Sequence, residues 1–301
     1  MKTWPTGMKK SNYHESVMVR EMTDYLHLKK GHFYIDATIG TGGHALEIVK
    51  KGGRVLGIDL DPKMLEIAKK RLKAAGGHFK LVCGNFRDID EIAKKEGIDE
   101  VSGILFDLGV SNIHLKSNAG GFSFSQPEAP LDMRLNPDSQ GVTAADLLNG
   151  LREDQLTVLF AGVLPFFKAK KLAKMVAVFA EHKKFAAVSD FLEAIKDFRG
   201  KPGLNPATLP FLALRIAVNS ELENLVEALP KAFSLLAKGG QLLILSFHSK
   251  EEEIIKDFFF SEERSDSGKI LTKTAILPQK EEIAKNIKAR SAKLWILEKL
   301  F

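Results

Sequence analysis

The stretch Phe33-Tyr34-Ile35-Asp36-Ala37-Thr38-Ile39-Gly40-Thr41-Gly42-Gly43-His44 decides the fold. Phe33–Ala37 reads as a strand, and Gly42–Lys50 reads as a helix. Between them lies a glycine-rich turn. Glycines let the backbone take positive φ and approach a ligand closely. The helix that follows offers free N–H groups and a partial positive charge to an anionic group. Such turns also serve packing alone, so the meaning of this one rests on what surrounds it.

Outward from the turn, the alternation continues. Arg54–Asp59 is a second strand, and a helix runs from Pro62 to about Ala75, closed by Gly76-Gly77. Phe79–Cys83 is a third strand, Ile89–Lys95 a helix, and Val101–Asp107 a fourth strand. This βαβα order predicts a parallel sheet with helices on both faces. After Asp107 the period is lost. Residues 112 to about 130 are rich in Ser, Asn, Gly, Pro and Phe, and Thr143 to about Phe198 is helical in character. Leu209–Leu236 is mostly helical, Gln241–Phe247 is a fifth strand, and Lys250–Phe259 a helix. Ile270–Ile276 and Lys293–Glu298 are expected as two final strands, an antiparallel pair at a sheet edge. The fold class is therefore α/β, with one sheet domain interrupted by a helical insertion at about 113–205.

Composition agrees with a globular chain. Of 301 residues, 45% are hydrophobic and 27% charged, which excludes wholesale disorder. Lys and Arg number 44 against 38 Asp and Glu, a formal charge of +6 that permits a polyanionic partner. Within the insertion, Lys168, Lys170, Lys171, Lys174, Lys183 and Lys184 are opposed only by Glu181, as a solvated helix face or a phosphate-tracking patch. The one cysteine, Cys83, excludes an internal disulfide and a cysteine metal cluster, and its apolar neighbours predict a buried strand thiol. No metal-ligand spacing is evident. No apolar run approaches the ~18 residues of a membrane span, and the N-terminus lacks the apolar core of a signal peptide. The expected compartment is the cytoplasm, without a membrane partner.

Four chemical positions fall at the ends of consecutive strands, where open α/β sheets bind ligands. They are the glycine turn, Asp59, Gly84-Asn85-Phe86, and Asp107. An acid about 20 residues past the glycines accepts hydrogen bonds from both ribose hydroxyls. Asp61, before Pro62, is assigned the helix cap and Asp59 the ribose. Phe86 offers a ring to an adenine. Two cofactors fit such a site, a methyl-donating S-adenosyl-L-methionine or a dinucleotide, and the turn lacks the full G-x-G-x-x-G that cradles a pyrophosphate.

Further blocks carry a resemblance. These are His14-Glu15-Ser16-Val17-Met18, the Asp36–His44 turn, Ile58-Asp59-Leu60-Asp61-Pro62 and Asp107-Leu108-Gly109-Val110-Ser111. They continue with Gly121-Phe122-Ser123-Phe124, Pro130-Leu131-Asp132-Met133-Arg134 and Asn205-Pro206-Ala207-Thr208. The last are Arg215-Ile216-Ala217-Val218-Asn219-Ser220-Glu221-Leu222-Glu223, Ser246-Phe247-His248-Ser249 and Ala289-Arg290-Ser291. In these the chain resembles the bacterial 16S ribosomal RNA cytosine-N4 methyltransferases, the MraW or RsmH family. The resemblance implies a class I, Rossmann-like methyltransferase sheet over residues 1–112 and 206–301, with an inserted all-helical domain at 113–205 that recognises substrate. It implies S-adenosyl-L-methionine as cofactor and a cytosine of the decoding region, in 16S rRNA or the small ribosomal subunit, as target.

By position, the cofactor would meet Gly42, Gly43 and His44, with Asp59 on the ribose, Phe86 by the adenine and Asp107 at the methionine end. His114 stands where the family usually has Gln. Asp107 and His248 are the expected catalytic residues, as acceptors for the amino protons. Asp132, Arg134, Asn219 and Ser220 are expected to meet substrate, with an Asp132–Arg134 ion pair and bracing of the loops as structural readings of the same residues. Trp295 is expected in the core, and Phe122 and Phe124 are read as core rings, with stacking on bases as the alternative. The sequence departs from the family at Gly120 and Leu209, where Arg is common, and at Val163-Leu164-Pro165-Phe166-Phe167, where a Gly-Glu-Glu-like stretch is usual. Val178 and Phe179 replace an acid and a base. A non-catalytic RNA-binding or ribosome-assembly factor, or a methyltransferase with another RNA substrate, is the alternative function. Whether the chain is a monomer or a homodimer is left open.

Overall fold

The computed structural model describes residues 16–116 and 120–301; His14 and Glu15 of the first quoted block lie outside them. Along the chain, α1 (Val19–Tyr25) precedes β1 (Phe33–Asp36), α2 (Gly43–Lys50), β2 (Arg54–Asp59), α3 (Pro62–Ala74) and β3 (His78–Cys83). Next come α4 (Ile89–Lys95), β4 (Val101–Asp107), α5 (Asn112–Lys116), α6 (Ala144–Gly150), α7 (Glu153–Ala161), α8 (Phe166–His182) and α9 (Val188–Ala194). The chain closes with α10 (Thr208–Asn219), α11 (Glu221–Ser234), β5 (Leu236–Ser246), α12 (Ser249–Arg264), β6 (Gly268–Ile270), α13 (Lys280–Lys285) and β7 (Lys293–Lys299).

The strands form one sheet in the order β3-β2-β1-β4-β5-β7-β6. β1 to β5 are parallel, and β7 runs antiparallel to both β5 and β6. The order reverses between β1 and β4, so their carboxyl ends diverge and open a crevice. Side chains alternate between two apolar layers, as a sheet buried on both faces requires. Ile104 and Phe106 of β4 face the layer that holds Leu225, Leu229, Ile255 and Phe259 from α11 and α12. Leu105 faces the opposite layer, with Met22, Ile48 and Leu72 from α1, α2 and α3.

Asp61 caps α3 as expected, accepting from the Lys63 N–H at 2.7 Å ahead of Pro62. The insertion has its own core. Leu148, Phe160, Leu172, Phe185 and Phe191 are buried together with Phe122, while Phe124 packs edge-on against Phe211. The described part of the insertion is helical, and its sheet-like contact is one isolated bridge between Pro130 and Ala187. This core does not stop at residue 205, since Ala207, which precedes α10, and Phe211, Ala213 and Leu214 of α10 complete it. Trp295 is in the sheet core, with its indole N–H donated to Ser246 Oγ at 3.2 Å.

Two local expectations need correction. Cys83 is exposed, because β3 is the edge strand of the sheet and Cys83 stands at its open tip. The expected strand Ile270–Ile276 pairs only over Gly268–Ile270; the chain then leaves the ladder and returns for a single bridge, Ile276 to Leu294.

Candidate active site

One cavity lies outside the carboxyl ends of β1, β2 and β4. Its first wall is the turn between β1 and α2, lined by Gly40, Thr41 and His44; the expected Gly42 and Gly43 lie outside the lining, where a Cβ would meet Ala68 and Ser16. Gly42 has φ 77°, left-handed backbone that suits glycine, and caps α2. At Gly43 a Cβ would lie 1.9 Å from Ser16 Oγ, so the absence of a side chain lets the N-terminal segment close over the turn. Arg71 ties the turn to α3 by donating to Thr41 O at 2.8 Å and to its Oγ1 at 3.0 Å.

Asp59, at the tip of β2, lines the cavity and fixes the turn as well. Its Oδ2 accepts from the Gly40 N–H at 2.8 Å and its Oδ1 from the Asp61 N–H at 2.9 Å. Burial pushes its carboxyl up to about 6, although these two N–H groups favour the charged form. Phe86 lines the same side, its ring held edge-on by Phe106 with centroids 5.6 Å apart. His114, from α5, enters from the insertion and is pinned by Asp61 Oδ2, 2.8 Å from its Nε2. Burial opposes the charged form of Asp61, but His114 and the Lys63 N–H outweigh it and keep that carboxyl below its usual range.

At the centre, Asp107 and His44 both line the cavity, with His44 Nε2 3.4 Å from Asp107 Oδ2. Asp36, 1% exposed, has neither carboxylate oxygen hydrogen-bonded. Burial lifts its carboxyl to about 7; His44 opposes the shift, and the like charges of Asp107 and Asp59 add to it. Burial works against a charged His44 ring, but Asp107 and then Asp36 outweigh it and raise its pKa above the ordinary imidazole value.

The facing wall comes from the helices after the insertion. Asn219 ends α10 and lines the cavity, yet its amide is fully engaged. It donates to Met133 O at 2.9 Å and Arg215 O at 2.8 Å, and accepts from the Leu135 N–H at 3.2 Å and Gln140 Nε2 at 3.0 Å. Asn219 therefore straps the 133–140 loop to α10. Ser220, in left-handed backbone with φ 48°, is the hinge between α10 and α11 and lines a neighbouring polar pocket rather than this cavity. Asp132 and Arg134 lie outside both of these linings. They form a bidentate pair, with Nε to Oδ1 at 2.7 Å and Nη2 to Oδ2 at 2.9 Å, and Arg134 also donates to Gln140 O at 2.7 Å. The expected ion pair thus organises the loop from within.

His248 also lies outside the cavity lining. It caps α12 by accepting from the Glu251 N–H at 3.4 Å, and its Nε2 stands 3.2 Å from Glu251 Oε1. Glu251 does line the cavity, beside Arg215 and Glu221, which form a fork-to-fork pair at 2.8 Å in both arms. Sequence reasoning gave no role to Asp36, Arg215 or Glu251; Glu221 stood out only with Asn219 and Ser220, as a polar group interrupting the apolar run Phe211–Val218 and expected to brace the loops. The i, i+3 spacing of His248 and Glu251 at a helix start was the available signal. Ligand atoms of Glu221, His248 and Glu251 lie within 4.8 Å of one another, a grouping that chain spacing did not reveal; the Arg215 guanidinium already neutralises Glu221.

The donor set suits S-adenosyl-L-methionine. Asp59 and Asp107 line the cavity as acceptors suited to a sulfonium and an ammonium, and the buried Asp36, close enough to feel both charges, retains unmet acceptors. A bound cofactor would have Asp59 for its ribose hydroxyls, the Phe86 ring for its adenine and the N–H groups of the first turn of α2 for its carboxylate. Among the described residues no helix is long and apolar enough to cross a membrane.

Fold and cavity together define a class I S-adenosylmethionine-dependent methyltransferase. A sequence profile of the MraW methylase family matches residues 11–300, and the chain belongs to that family. It is 41% identical over 293 residues to a ribosomal RNA small subunit methyltransferase H from Dictyoglomus thermophilum, covering 95% of this chain and 96% of that one. It is 38% identical over 308 residues to a protein of the same name from Carboxydothermus hydrogenoformans, covering 95% and 98%. A solved rRNA methylase from Streptococcus thermophilus superposes with a TM-score of 0.47 at 12% identity, over 94% of this chain and 96% of that one.

Proposed function

We propose that this chain methylates N4 of a cytosine in the decoding region of 16S ribosomal RNA, acting on the small ribosomal subunit. The names of its relatives support an RNA of the small subunit. The observation that carries the chemistry is that one cavity joins the strand-tip acids Asp59 and Asp107 to His114, Asn219 and the Arg215–Glu221 pair on the facing helices. S-adenosyl-L-methionine supplies the methyl group.

The cytosine amino nitrogen is a weak nucleophile, because its lone pair is delocalised into the ring. In this reading Asp107 orients the amino group and accepts its proton, while the wall of α10 and α11 holds the base in line with the donor. His44 keeps Asp107 in place. Glu251 and behind it His248 offer a second acceptor path away from the cavity. A base inside a duplex cannot reach this crevice, so the target enters unpaired or flipped out.

The test is incubation of the purified chain with small subunits lacking the mark and isotopically labelled S-adenosyl-L-methionine, followed by nucleoside mass spectrometry. Labelled N4-methylcytidine in a decoding-region fragment is expected; label on another atom or another fragment overturns the reading. The alternative, an RNA-binding assembly factor without turnover, draws on the apolar lining Val163, Leu164 and Leu209 around His248. Binding of RNA and cofactor without transfer would favour it.

A further inference from the structure

We propose that one face of α8 binds the single-stranded RNA flanking the target base, with Phe166 and Phe167 stacking on bases and Lys170, Lys171 and Lys174 facing phosphates. The proposal rests on an RNA substrate and adds a second contact region to it.

The face has no structural occupant. α8 already buries Ala169, Leu172, Ala173 and Val176 in the insertion core, whereas Phe166 is 66% and Phe167 71% exposed in its first turn. Rings needed only for packing would sit on the buried side. Phe167, Lys171 and Lys174 follow at i, i+4 and i+7, one helical face, with Lys170 beside them. The lysines of the α8 region divide into two groups. Lys168 donates to Gly200 O at 2.8 Å, and Lys183 pairs with Asp190 at 2.8 Å and Glu193 at 3.3 Å. Lys170, Lys171 and Lys174 are exposed and have no carboxylate partner among the described residues. Unpaired cations next to exposed aromatic rings match the chemistry of a single strand, whose bases stack and whose phosphates need countercharge.

The segment leading into this face also lines a groove that reaches His248. A groove of about 260 Å³ is lined by Ala161, Val163, Leu164, Leu209 and Leu212, with His248 at its edge. His248 is 3.2 Å from Glu251, which belongs to the cofactor cavity. Leu164, also in that lining, is two residues from Phe166 along the chain. In this proposal a strand leaving the cavity passes His248 and this groove on its way to the aromatic pair. A second copy of this chain is the poorer occupant, because a two-fold contact through this face would set the unpaired lysines against each other.

The experiment measures fluorescence anisotropy of a fluorescein-labelled 12-nucleotide oligocytidylate with the full chain at several salt concentrations. F166A/F167A should weaken binding at least five-fold with the salt slope kept. K170Q/K171Q/K174Q should lower the slope by roughly 2, at about 0.7 per phosphate contact on single strands. Tryptophan emission of F167W should be quenched on binding. Cofactor affinity and circular dichroism of each variant check its fold. Parental affinity in F166A/F167A overturns the proposal, as does a dimer that this variant converts to monomer while RNA binding is kept. Failure of methyl transfer by the parent chain strikes the proposed reaction instead and leaves the anisotropy result to decide this surface.

Discussion

His44 Nε2 stands 3.4 Å from Asp107 Oδ2, and both side chains face the cavity at the switch point of the sheet. The carboxylate is what keeps the buried ring easy to protonate. Asp107→Asn should cut turnover by about 10²–10⁴-fold, the range of a lost proton acceptor. It should also lower the His44 pKa, read from the imidazole resonances by NMR titration. An Asp107→Asn enzyme with parental turnover and an unmoved His44 would remove both roles.

Asp59, which lines the cavity, and Asp36, buried close to it, set a pH dependence. Asp36 titrates at about 7 and Asp59 at about 6, each raised chiefly by burial. Their folded pKa values lie above the unfolded one, so each group's favourable contribution to stability is fully present below about 4 and is lost as pH rises through 6 to 7. A bound cation reverses the preference by favouring the carboxylates. Cofactor affinity should therefore fall as pH drops below about 6. Binding near pH 6.5 should release protons, measured by calorimetry in buffers of different ionisation enthalpy.

The contact between Gly43 and Ser16 gives a test by compensation. Gly43→Ala places a Cβ 1.9 Å from Ser16 Oγ and 2.8 Å from Ser16 Cβ. Overpacking of this kind costs about 1–3 kcal/mol and here displaces the lid of the turn. Cofactor affinity should fall, and adding Ser16→Gly should restore most of it. Additive losses in the double variant would show that the contact is not the cause.

The Arg215–Glu221 pair is largely buried, with side chains 17% and 15% exposed. Arg215→Met alone leaves an unpaired carboxylate and should destabilise the fold by about 3–5 kcal/mol in denaturant unfolding. Arg215→Met with Glu221→Leu should recover much of that loss. The same pair of variants separates stability from turnover, since the fork also lines the cavity.

The parallel strands, the glycine turn and the Asp61 cap were legible because each depends on residues within a few positions of one another. Asp59, Phe86 and Asp107 were legible as neighbours around one cavity because strand ends recur at one edge of such a sheet. Asn219 shows where that reasoning stops. Its block was recognisable, but its four hydrogen bonds go to Met133, Leu135, Gln140 and Arg215, so its engagement as a strap depends on a loop some 80 residues away. Asp132 and Arg134, two residues apart, were readable as an ion pair, while their distance from the cavity was not.

The sequence alone determined the alternation of elements, the chemistry of the strand tips and the family likeness, since these are written in local period and in short blocks. Only the tertiary structure decided that Cys83 lies at an open edge, that α10 completes the core of the insertion, and that Glu221, paired to Arg215, comes together with His248 and Glu251. The reason is physical. Edge position, shared cores and long-range charge clusters depend on which elements become neighbours, and that follows from packing the whole chain rather than from any one segment.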